Sequence, residues 1–163
     1  MQASAPRSML VAILLAVAGC GKASDRPIVI VDKAFIFEPA AGRDVTLGGV
    51  TLRSRMGPGL RLVSADSPQI AAIELHSVDR AQGGMTNAHE HGLDFSPDGE
   101  LILGRGRDHF MMFGLPQALK QGDQVELNLT FQSHGGLFTQ TVTAGVVSLS
   151  DVPVSDQRHR ERH

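Results

Sequence analysis

The amino-acid sequence predicts an all-β domain, a sandwich or a barrel. Three observations predict it. Short segments place apolar side chains at alternate positions, turn residues recur about every ten residues, and no long stretch carries helical periodicity. The chain has 163 residues, enough for one domain with a proper core. Its net charge is −2, and this near balance lacks the basic excess that a nucleic-acid partner requires. Seven Phe with no Trp or Tyr leave little for an aromatic sugar or base platform.

The first segment stands outside the fold. Arg7 supplies a positive start, and Met9 to Ala18 form an apolar run of ten residues. About 20 would be needed to span a bilayer as a helix, so the run fits a secretory leader. Val17, Ala18, Gly19 and Cys20 follow. An aliphatic residue, two small residues and a Cys resemble the bacterial lipobox, which implies a leader at 1–19 and lipidation of Cys20. Gly21 follows the Cys, so the Asp that often marks inner-membrane retention is absent. Cys20 is the one Cys, so no intramolecular disulfide can form. With that thiol lipidated, zinc ribbons, iron–sulfur clusters and thiolate copper centres are excluded.

Residues 20–27 read as the lipidated Cys and a tether, 28–147 as the folded domain and 148–163 as a mobile polar tail. Ile28 to Val31 is a β-branched first strand. Val45 to Arg53 alternates, with Gly48 and Gly49 expected to mark a bulge or bend. Leu60 to Ser64 and Ile70 to Val78 follow; in the latter Ile73 and Leu75 share one parity, Glu74 and His76 the other. Met85 to His91 reads as a strand of unusual polarity, then Phe95 to Glu100 as a turn cluster. Leu101 to Leu103 and His109 to Phe113 are further strands, with weak helical character only at Pro116 to Lys120. Val125 to Phe131 alternates cleanly, and Leu137 to Val147 closes the domain.

Seven His and, past the leader, four Met carry what chemistry the sequence offers. His109 and Met111 stand two apart on one strand, so they share a face, and imidazole beside thioether suits Cu(I). Met112 has the opposite parity and is expected to pack inward. His89-Glu90-His91 is a second candidate, since two His on one strand face can chelate Zn or Cu(II). His134 falls in an expected hairpin turn and reads as surface, and His159 and His163 lie in the tail. There is no Gly-x-Ser-x-Gly elbow, no paired carboxylate constellation and no Gly-rich loop before a helix, so catalysis and nucleotide binding find little support.

The spacing of these residues resembles a known family. Ten residues separate His76 from Asn87, twenty-one separate Asn87 from His109, and Met111 completes a His-x-Met. This is similar to the periplasmic copper chaperones of the PCu(A)C family, whose pattern is His, ten residues, Met, twenty-one residues, His, any residue, Met. Asn87 stands where the family has Met. Ile73-Glu74-Leu75-His76, His109-Phe110-Met111-Met112-Phe113-Gly114-Leu115, Leu119-Lys120-Gln121-Gly122-Asp123 and Leu127-Asn128-Leu129-Thr130-Phe131 resemble further stretches of that family. The likeness runs over roughly residues 28 to 146.

The resemblance implies a cupredoxin-like Greek-key β-sandwich. It also implies a copper chaperone rather than an enzyme, monomeric, and lipid-anchored on the periplasmic side of a bacterial cell envelope. Cu(I) is the implied cargo, with Cu(II) as an alternative, and a cytochrome c oxidase subunit or another assembly chaperone the implied recipient. The ligands so implied are His76, His109 and Met111, with Met85 or His89 replacing the thioether missing at Asn87. Met85 is the preferred substitute, and His91 is a neighbour of the same parity. Two other readings stay open: a metal-free interaction module, to which Asn87 points, and a Cu(II)- or Zn-dependent enzyme using His76, His89, His91 and His109.

Overall fold

β-branched and aromatic residues at alternate positions bury one face of each strand and leave the other to polar groups. In the computed structural model, which describes residues 29–55, 59–79, 84–87, 91–116 and 119–151, this pattern is realised as ten strands. They are β1 (Val29–Phe37), β2 (Val45–Ser54), β3 (Arg61–Asp66), β4 (Ala72–Asp79) and β5 (Gly84–Asn87). β6 (Leu93–Asp94), β7 (Glu100–Ile102), β8 (His109–Phe113), β9 (Gln124–Ser133) and β10 (Gly136–Val147) follow. The described residues contain no helix; of the stretch Pro116 to Lys120, Gln117 and Ala118 lie outside the described residues, and the Leu119 N–H donates to the Pro116 carbonyl at 3.2 Å.

The strands are ordered β5-β4-β8-β2-β1-β10-β9-β3-β6, with β7 also paired to β2. β3 and β4, near opposite ends of that order, lie against each other, so the sheet wraps into a nearly closed β-sandwich. β1 runs parallel to β10, and the other strand pairs are antiparallel. Leu52, Leu62, Leu75, Phe110, Met112, Leu127, Leu129 and Phe131 are fully buried in one core. Met112 therefore packs inward, as its parity predicts.

Three sequence expectations shift. β1 is longer than Ile28 to Val31, reaching Phe37, because a bulge between Val31 and Lys33 breaks the alternation that would have revealed it. At that bulge the Arg53 guanidinium donates twice to Asp32, at 2.5 and 2.6 Å, which holds the Asp32 carboxyl below the usual carboxylate range. The glycines of β2 are not at a bulge, since β1 and β2 pair continuously from Lys33 to Ile36. They permit close approach instead. A Cβ on Gly49 would run into the Leu103 carbonyl and sit 2.6 Å from the Phe35 ring, and one on Gly48 would sit 2.7 Å from the Met112 methyl. Third, the strand expected over Met85 to His91 is described only as Gly84–Asn87. His91 sits exposed in a turn, and Gly92, at φ +66°, leads the chain away to β6, which pairs with β3. Cys20, His89, His159 and His163 lie outside the described residues.

Candidate metal centre

β8 alternates along its whole length. Phe110 and Met112 are fully buried on the core side, and His109 and Met111 take the other parity. β4 does the same, with Ile73 and Leu75 inward and Glu74 and His76 outward. Because the two strands are antiparallel, register fixes which outward residues meet. His76 lies opposite His109 and Glu74 opposite Met111. The two imidazoles are 5.5 Å apart between ring centroids and inclined at 64°. Residues 33 and 37 positions apart in sequence thus form one compact square on the outer face. On the other side of β4, Asn87 stands opposite His76 in the ladder, and Met85 opposite Val78.

The square sits in a partly sunken position. His109 is 6% exposed, whereas Met111 and His76 are half-buried. An open groove of about 510 Å³ runs beside it, lined by Val45, Leu47, Val78, Arg107, His109 and Met111. The turn between β7 and β8 holds the square's outer end. Gly104 N–H donates to the Asp108 carbonyl at 2.8 Å, and Arg107 N–H donates to the Gly104 carbonyl at 3.1 Å. That turn presents two acceptors. The Arg107 carbonyl takes the His109 Nδ1–H at 2.7 Å, and the Asp108 carboxylate takes the Val78 N–H at 2.9 Å and the Ser77 hydroxyl at 3.2 Å. Asp108 thereby ties β4 to the start of β8 just beyond the His pair. Replacing Asp108 with alanine leaves two donors without their acceptor, at a cost of about 1–3 kcal/mol. Hydrogen exchange at the Val78 amide should then speed up well ahead of exchange at core amides of β9; unchanged protection would show that Asp108 does not tie the strands.

The donor chemistry fits a soft cation. A metal about 2.0 Å from one nitrogen of each imidazole lies about 3 Å from each centroid, so rings at 5.5 Å can share one ion. Met111 adds a thioether, which carries no proton and prefers Cu(I). Among the described residues no three His, Cys, Asp or Glu side chains gather as a metal cluster. The structure thus brings together His76, His109 and Met111 of the expected ligands, and it places His91 in the turn before β6. Glu74 is the residue that motif spacing overlooked. Its signal was present, since it shares the parity of His76, two residues away. His134 lies exposed in the two-residue β9–β10 turn, as expected.

Residues 29–146 match the family model described as "Putative lipoprotein LpqE-like". Among solved structures, the copper-bound PCuAC domain from PmoF2 superposes with a TM-score of 0.57 at 16% identity, over 74% of this chain and 92% of that one. The solution structure of CuI-DR1885 from Deinococcus radiodurans gives a TM-score of 0.59 at 27% identity, over 80% of this chain and 86% of that one. Apo-DR1885 from the same organism gives 0.55 at 24% identity, over 91% and 97%. No curated protein matches the chain. The fold is therefore the cupredoxin-like β-sandwich of PCuAC domains.

Proposed function

Because the chain belongs to the LpqE-like family and has the fold of PCuAC copper-chaperone domains, we propose that it is a copper chaperone of the cell envelope, a carrier rather than an enzyme. One observation carries the reading: the His76–His109 ring pair, with Met111 beside it, in a fold whose solved relatives include copper-bound forms. The cargo is Cu(I), held by His76, His109 and Met111, with Met85 as the fourth donor in place of the thioether missing at Asn87. Two neutral imidazoles and thioethers make a site in which only His competes with protons. The groove along Met111 lets an incoming ligand approach one edge of the site, so donors can be exchanged one at a time without unfolding.

The same reading assigns the rest of the chain. Residues 1–19 are a lipoprotein leader, Cys20 carries the lipid, 20–27 form a tether, 28–147 the copper domain and 148–163 a polar tail. The family's description as a lipoprotein supports the anchor. Several acyl chains at about 0.8 kcal/mol per buried CH₂ would hold the domain at the membrane. There, on the periplasmic side, it would act as a monomer that delivers copper to a recipient such as the copper centre of cytochrome c oxidase.

The test is Cu(I) uptake by the full chain in detergent micelles, against a competing chromogenic chelator. One equivalent bound tightly is the expected result. Met85→Ala should weaken it and His89→Ala should not. The reverse order would make His89 the fourth donor. No uptake above the chelator background would overturn the copper reading and favour the metal-free module to which Asn87 points.

A further inference from the structure

The two imidazoles of the square are locked in opposite tautomers. The Arg107 carbonyl can only accept, so His109 Nδ1 carries a proton and donates it at 2.7 Å, which leaves the Nε2 lone pair free. A carboxylate can likewise only accept, so the 2.9 Å contact between His76 Nε2 and Glu74 Oε2 puts the proton on Nε2. The free lone pair of His76 is therefore on Nδ1. Glu74 is well placed to hold this arrangement. It is two residues from His76 on the same face of β4, opposite Met111, and its side chain is 36% exposed against 19% for His76.

We infer that Glu74 is a positioning residue that makes His76 meet the metal through Nδ1 while His109 meets it through Nε2. The inference rests on the copper-binding reading above and deepens it. Three physical consequences follow from the one hydrogen bond. The carboxylate fixes the rotation of the His76 ring. It draws on the Nε2 proton, which makes the opposite nitrogen a stronger donor. It also places a negative charge one imidazole away from a cation whose proposed ligands, two His and thioethers, are all neutral. Glu74 thus acts through His76 and from behind it, and it does not occupy a coordination position.

The test uses the full chain in detergent micelles, labelled with ¹⁵N at histidine, as wild type, Glu74→Ala and Glu74→Gln. Cu(I) affinity is read by chelator competition. The ligating nitrogen is read with Ag(I), a soft monovalent ion whose nuclear spin couples to the nitrogen it touches. In the wild type the coupling is expected at His76 Nδ1 and His109 Nε2. In Glu74→Ala the His76 coupling should move to Nε2 or divide between the two nitrogens, with Cu(I) affinity down about 10- to 100-fold. Glu74→Gln, whose amide oxygen can still accept from Nε2–H, should restore the Nδ1 coupling. Coupling at His76 Nε2 in the wild type, with Cu(I) bound, would overturn the inference and leave the copper reading standing. So would Nδ1 coupling and affinity that are unchanged in Glu74→Ala. Failure of the wild type to bind either ion would overturn the copper reading, and this inference with it.

Discussion

His109→Ala is expected to lower Cu(I) affinity by about a hundredfold or more. Structural zinc sites of four protein ligands bind with about 10–16 kcal/mol in all, or roughly 2.5–4 kcal/mol per ligand, and each 1.4 kcal/mol is tenfold. His109 is the proposed ligand with least freedom to be replaced. It is 6% exposed, it lies opposite His76, and its ring orientation is fixed by the Arg107 carbonyl. Alanine also takes the donor away from that carbonyl, so the metal-free protein should lose about 1–3 kcal/mol of stability. The two effects separate if unfolding is measured without copper and affinity on the folded protein. His91→Ala is the matched control, since His91 is exposed in the turn before β6. Equal losses in both variants, or no loss in His109→Ala, would remove the His76–His109 pair from the site.

The strands that period two revealed were those with uninterrupted alternation. β8 was read to the residue, and β9 and β10 to within two, because Phe110 and Met112, or Val125 through Phe131, bury every second side chain. The sequence cuts β1 short because Asp32 and Lys33 sit at a bulge, where parity slips and charge reaches the surface. β6 is invisible to periodicity because two residues hold no period. For the site, spacing within a strand was legible and spacing between strands was not. His109 and Met111 could be placed on one face from the sequence alone. That His76 should stand opposite His109, and Glu74 opposite Met111, depends on register between strands that are distant in the chain. Register is set by which apolar residues meet inside, here Leu75 against Phe110. The role of Glu74 is hidden from the sequence for a related reason. A motif names ligands, whereas a carboxylate that orients a ligand is recognised only when its oxygen is seen against a ring nitrogen.

Phe110→Ala acts on the other face of the same strand and should have the opposite signature. Phe110 is fully buried, between Leu75 of β4 and Gly48 of β2 in the ladder, one residue from His109. Losing a buried Phe side chain costs about 3–5 kcal/mol, against a total stability of about 5–15 kcal/mol for a domain. With about 2 kcal/mol per molar urea for a chain of this size, the unfolding midpoint should fall by about 2 M. The proposed ligands remain, so the folded fraction should still take up Cu(I). A ligand at a hundred times its dissociation constant adds about 2.7 kcal/mol to the folded state. Cu(I) at that excess over the wild-type constant should therefore return more than half of the stability that Phe110→Ala loses, while giving His109→Ala less than about 0.5 kcal/mol. This crossed result follows only if β8 carries core on one side and metal on the other. A Phe110→Ala variant that unfolds at the same urea concentration with and without Cu(I) would show that the site does not rest on this strand.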